Sequence, residues 1–212
     1  MRISNQFALC LLMVCTYGQA TGSTVDLPYY LDSGLVPEWA EQLGGRDKHS
    51  ISDFRLTNQQ GKVIAGDELS GKVRIVNFFF STCPGVCPTT MQNLKKVQEH
   101  ISSNQVVMLS FSITPNIDTP ERLAEYATAQ QIDLSRWQLL TGETDQIARL
   151  AKDSFFAVLE RNVDQNAFVH TEKAFLVDQD GFIRGVYNAT SPADVMRLTE
   201  DLQQLSMSNK LN

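Results

Sequence analysis

The chain has 212 residues, is 42% hydrophobic, and carries 18 basic against 24 acidic residues for a net charge of −6. That length and composition suffice for one substantial core. The acidic balance, with no basic stripe anywhere along the chain, argues against nucleic acid as a partner.

Residues 1–20 combine a basic start at Arg2, an apolar run from Phe7 to Cys15, and small residues at Gly18 and Ala20. This pattern predicts a secretory signal peptide cleaved after Ala20. The apolar run is shorter than the roughly 20 residues a membrane span needs; if retained, the leader would be a membrane anchor. Val14 does not suit lipid attachment at Cys15, where a small residue should precede the modified cysteine. The expected location is the periplasm or another exported compartment. Losing the leader removes Arg2 and makes the balance one unit more negative.

Residues 21–50 hold Pro28, Pro37, Gly44 and Gly45 without a sustained period, and read as an arm or linker ahead of a domain over 51–208. Phe54–Leu56 and Lys62–Ile64 flank Asn58-Gln-Gln-Gly61, which predicts a hairpin. Residues 73–80 are apolar nearly throughout, as a strand buried on both faces should be. Met91, Leu94, Val97 and Ile101 then recur at helical spacing after Pro88. Val106–Ile113 predicts another buried strand. Thr119, Pro120 and Glu121 open a helix that carries Leu123, Tyr126 and Ala127. Trp137–Leu140 is a short strand, and Thr144 starts a helix through Ile147, Leu150 and Ala151. Ala174–Val177 and Phe182–Tyr187 pair across Asp178-Gln-Asp-Gly181. Ser191-Pro192 begins a last helix with Val195, Leu198, Leu202 and Leu205. This order predicts a single α/β domain of thioredoxin-like type, with a mixed central sheet flanked by helices and an N-terminal hairpin.

Between the first buried strand and its helix lies Ser81-Thr-Cys83-Pro-Gly-Val-Cys87-Pro88. Two of the four cysteines belong to the leader, so the exported chain keeps this one pair. A structural disulfide here would close a three-residue loop and restrain the unfolded chain very little. Proline is favoured at a helix start and pushes its predecessor out of the α region, so Cys87 reads as the N-cap. Both sulfurs would then sit near the positive end of a helix dipole, which lowers thiol pKa and favours thiolate. The site is redox-active, metal-binding, or both.

At these residues the chain resembles the Sco/SenC copper proteins of cytochrome oxidase assembly, over about residues 50 to 205. The likeness rests on Gly71-Lys72 through Cys83-Pro84-Gly85-Val86-Cys87-Pro88, on Ser112-Ile-Thr-Pro115 with Asp118-Thr-Pro-Glu121, and on Val169-His170-Thr171 ahead of Ala174-Phe-Leu-Val-Asp178-Gln-Asp-Gly181. The resemblance implies a thioredoxin-like fold binding one copper ion, as Cu(I) or Cu(II), through Cys83, Cys87 and His170. It implies delivery of copper to, or reduction of cysteines in, a cuproprotein such as a cytochrome c oxidase subunit, with another copper chaperone or a thiol reductant as further partners. Two positions depart from the family pattern. Gly85 replaces an acidic residue between the cysteines and Val169 replaces one before the histidine; a carboxylate at either place would tune the site.

The chemistry suits the assignment. Thiolates hold Cu(I), an imidazole nitrogen accommodates Cu(II), and three ligands leave an open face for handing the ion on. The competing reading is metal-independent thiol–disulfide exchange by the Cys83–Cys87 redox pair. Peroxidase chemistry fits less well, because the residue three before Cys83 is Phe80 where a threonine is wanted. Met91, one turn beyond Cys87, reads as core although thioethers bind Cu(I). Phe80 reads as sheet core that shields the cysteine loop. His49 and His100 read as solvated, and Asp118-Thr-Pro120 as a turn and helix cap.

Overall fold

The computed structural model describes residues 27–157 and 172–208. The predicted leader, His170 and Val169 lie outside the described residues.

The hairpin pairs β1 (Arg55–Asn58) with β2 (Val63–Ala65). Its turn works because the Asn58 side-chain oxygen accepts from the Gln60 and Lys62 amides, both at 2.9 Å. Gly61 there has φ +74°, a conformation that costs glycine nothing. The chain continues through β3 (Val73–Phe79), α1 (Cys87–Glu99), β4 (Val106–Ser112), α2 (Pro120–Ala129) and β5 (Trp137–Thr141). Helix α3 (Thr144–Arg149) runs into a π turn at Leu150–Ser154. Strands β6 (Lys173–Val177) and β7 (Ile183–Asn188) and helix α4 (Pro192–Ser208) complete the described chain.

All seven strands among the described residues join one sheet in the order β2-β1-β5-β4-β3-β6-β7. The three middle strands β5, β4 and β3 are parallel, in a register that sets Val73 beside Val106 and Phe79 beside Ser112. The flanking strands β1 and β6 run antiparallel to them. The hairpin is therefore an edge of the main sheet and not an appendage. Every residue of β3 and β4 is buried, as expected where helices cover both faces.

Alternation along the strands divides the core in two. Val73, Ile75 and Phe79 of β3 face Met91, Leu94 and Val97 of α1, Leu123 of α2, and Leu198 and Leu202 of α4. Val76 and Phe78 point the other way, toward Leu150, Ala151 and Phe155. A buried polar chain crosses the first layer. Trp137 Nε1 donates to Ser110 Oγ at 2.8 Å, Ser110 donates to Asn77 Oδ1, and Asn77 Nδ2 lies 4.0 Å from Met91 Sδ.

The segment before β1 packs onto this domain. Leu27 is buried in the first core layer. The Arg184 guanidinium donates to the Leu27 and Pro28 carbonyls, pairs with Asp178 at 3.2 Å, and stacks 4.1 Å from the Tyr29 ring centre. His49, expected to be solvated, is half-buried against Phe156, and its Nε2 lies 2.9 Å from the Ser154 carbonyl. The π turn leaves that carbonyl needing a donor, and the imidazole supplies one.

Candidate metal centre

The cysteine loop springs from the carboxyl end of β3. Val86, with αR backbone angles, precedes the first helical residue, and the Thr90 amide closes the turn onto the Val86 carbonyl at 3.0 Å. Cys87 is therefore the first residue of α1 and not its cap. Pro88 at the second position gives up an amide the helix does not use. The pre-proline restriction is a preference, and the packed start of α1 overrides it.

Both cysteines are thiols with no disulfide between them, and both belong to the first core layer, with 8% and 7% of their surface exposed. Phe80 packs in the same cluster, and its carbonyl accepts from the Cys83 amide at 3.2 Å. That agrees with a shielding role. Burial first, and then the hydrogen bond with Cys83, push the Cys87 thiol up to about 12. Backbone hydrogen bonds at Phe80 and Cys87 act in the opposite sense and lose. The expectation of a lowered thiol pKa is thus reversed for Cys87. Desolvation of a thiolate outweighs the helix dipole when the sulfur lies under apolar side chains.

Asp118 has more to do than make a turn. It is wholly buried, and its carboxylate accepts from the Ser81 amide at 3.1 Å, the Ser81 hydroxyl, the Ser112 hydroxyl, and the Thr114 hydroxyl at 3.1 Å. This network ties the loop after β4 to the residue two before Cys83. Thr119 still caps α2, accepting from the Arg122 amide. Across the site, Tyr126 of α2 lies against Phe79, with ring centres 5.5 Å apart. Burial raises its phenol pKa most, and Cys87, Cys83 and Asp118 add to the effect. Sequence reasoning missed the anchoring role of Asp118 and the place of Tyr126 beside the sulfurs. The one available signal was an aspartate closely following Ser112 and Thr114, two hydroxyls able to satisfy a buried carboxylate.

Met91, with no exposed surface and its sulfur facing the Asn77 amide, is a core residue. His100 is exposed at the other end of α1, its Nδ1 2.7 Å from the Lys96 carbonyl. Among the described residues, no three His, Cys, Asp or Glu side chains converge as a ligand set. The two thiols themselves fit a soft ion. They are in mutual hydrogen-bond contact on a loop held at its root, so binding needs proton loss but little chain ordering.

The chain matches the SCO1/SenC family model over residues 44–206. A SCO1 protein homolog of Bacillus subtilis is 25% identical across 83% of this chain and 95% of its own. The crystal structure of a SCO1/SenC family lipoprotein from Bacillus anthracis superposes with a TM-score of 0.68 at 30% identity, covering 74% of this chain and 95% of the other. Copper-bound ScoI of Bradyrhizobium japonicum shares the fold at a TM-score of 0.60 and 24% identity, over 74% and 99% of the two chains.

Proposed function

The chain belongs to the SCO1/SenC family, and from that premise we propose that it is a copper-binding protein that serves assembly of a cuproprotein such as cytochrome c oxidase. Copper is the cargo, held by Cys83, Cys87 and His170. The observation that carries this reading is the pair of touching thiols on a loop pinned by a buried carboxylate. Such a pair is prepared to exchange two protons for one soft ion.

Chain connectivity supports His170 as the third ligand. Strand β6 begins beside the carboxyl end of β3, with Ala174 opposite Asn77, at the sheet edge from which the cysteine loop departs. His170 lies two positions before Glu172, and that length of chain spans at most about 7 Å. Thiol exchange is the weaker reading. Burial and a raised pKa make Cys87 a poor attacking thiol at neutral pH. The leader supports an exported location. Among the described residues no helix is long and apolar enough to cross a membrane.

The test is an anaerobic copper titration of the reduced protein. One equivalent binds with sulfur-to-copper charge-transfer absorption, which is absent in Cys83→Ala and changed in position and intensity in His170→Ala. Disulfide reductase turnover that needs both cysteines and ignores His170→Ala would favour the exchange reading instead.

A further inference from the structure

We propose that His100 and Met207 form a second, exposed site for a soft monovalent ion, Cu(I) or its redox-inert analogue Ag(I). The two residues line one cavity of about 230 Å³ between the loop after α1 and the last turns of α4. Ile101, Val106 and Leu202 form its apolar wall, and Ser102, Ser103 and Ser206 its polar one. The Met207 side chain is 60% exposed there, which gives the core nothing and leaves the thioether open to a ligand.

The histidine is set up as a ligand. Its Nδ1–H donates to the Lys96 carbonyl at 2.7 Å, which places the proton on Nδ1 and the lone pair on Nε2. Metal-binding imidazoles are held by such a bond from the other ring nitrogen. The same bond also caps the last turn of α1. The identity of the second donor sets the ion. A thioether selects Cu(I)-like ions, while hard cations want carboxylates, and no carboxylate lines the cavity.

This site is distinct from the cysteine centre. It sits at the carboxyl end of the 13-residue helix whose first residue is Cys87, about 20 Å away at 1.5 Å per residue. An ion here is an additional equivalent, held loosely by two neutral donors at the surface.

The experiment is an anaerobic Ag(I) titration of the reduced full-length protein, followed by NMR of the His100 ring and the Met207 methyl group. Both signals should move together in one binding event, and that event should persist when Cys83 and Cys87 are both replaced by serine. Persistence there separates this site from the cysteine centre, whatever becomes of the latter. Met207→Leu and His100→Gln should each weaken the event at least tenfold. The proposal is overturned if the two signals stay fixed through three equivalents, or if the His100 shift is unchanged in Met207→Leu.

Discussion

At the scale of single residues, the raised Cys87 thiol makes a pH prediction with a definite sign. The fold favours the protonated form, so the stabilisation is complete below the ordinary thiol value of 9 and disappears as pH climbs through about 12. Urea unfolding of the reduced, metal-free protein should therefore show wild type losing stability relative to Cys87→Ser across that window. An unchanged difference between the two would contradict the burial argument. Gly85 offers a second test at this scale. A Cβ built there meets no atom within 4 Å, and its backbone is not left-handed. Gly85→Asp should consequently shift stability by less than about 0.5 kcal/mol, as exposed substitutions do. The new carboxylate should strengthen copper binding by up to about tenfold, the scale on which groups around a metal act. Isothermal titration at a series of ionic strengths reads both the affinity and its loss with added salt.

At the scale of elements, α1 is held against the sheet by apolar packing and by the Trp137–Ser110–Asn77 chain that ends at Met91. Met91→Ala should destabilise by about 2–5 kcal/mol, the range for emptying a packed site, measured by chemical denaturation. Met91→Leu preserves volume and should leave the copper absorption spectrum unchanged; an altered spectrum would make Met91 a ligand after all. The helices and strands were legible because each carries a local signal. Thr119-Pro120 does cap and start α2, and the even burial of β3 and β4 follows from their unbroken apolar runs. The start of α1 was displaced by one residue because packing at Cys87 overrode a weak backbone preference. The thiol pKa was misjudged for a related reason. A helix dipole can be read from sequence, but burial of a sulfur depends on Phe80 and the other side chains that the fold gathers around it.

At the scale of the whole molecule, the cysteine loop lies at the carboxyl end of the parallel strands, whereas Arg184, Asp178 and the entry of residue 27 lie toward the other end of the sheet. The Arg184 guanidinium links the segment before β1 to the β6–β7 turn, so removing it breaks the ion pair with Asp178, leaves Arg74 as the cation near that carboxylate, and releases Leu27. Arg184→Ala should cost about 3–5 kcal/mol, as loss of one member of a buried ion pair does. Limited proteolysis should then cut within residues 27–50 before the domain. Resistance equal to wild type would show that the segment is held elsewhere. None of this was legible from a loop-like composition, because the partners are more than 150 residues apart in sequence. The pair Cys83 and Cys87 was legible, being local. The anchoring by Asp118 was not, since it arises only when β3 and β4 lie side by side and bring Ser81 to the loop after Ser112.

The central claim is that a single copper ion draws on two sulfurs and one nitrogen from separate parts of the chain. X-ray absorption at the copper edge of the singly loaded protein tests it most directly. The account predicts two sulfur scatterers and one imidazole nitrogen for wild type, with the imidazole signature lost in His170→Ala and one sulfur lost in Cys83→Ser. A His170→Ala spectrum indistinguishable from wild type would contradict it.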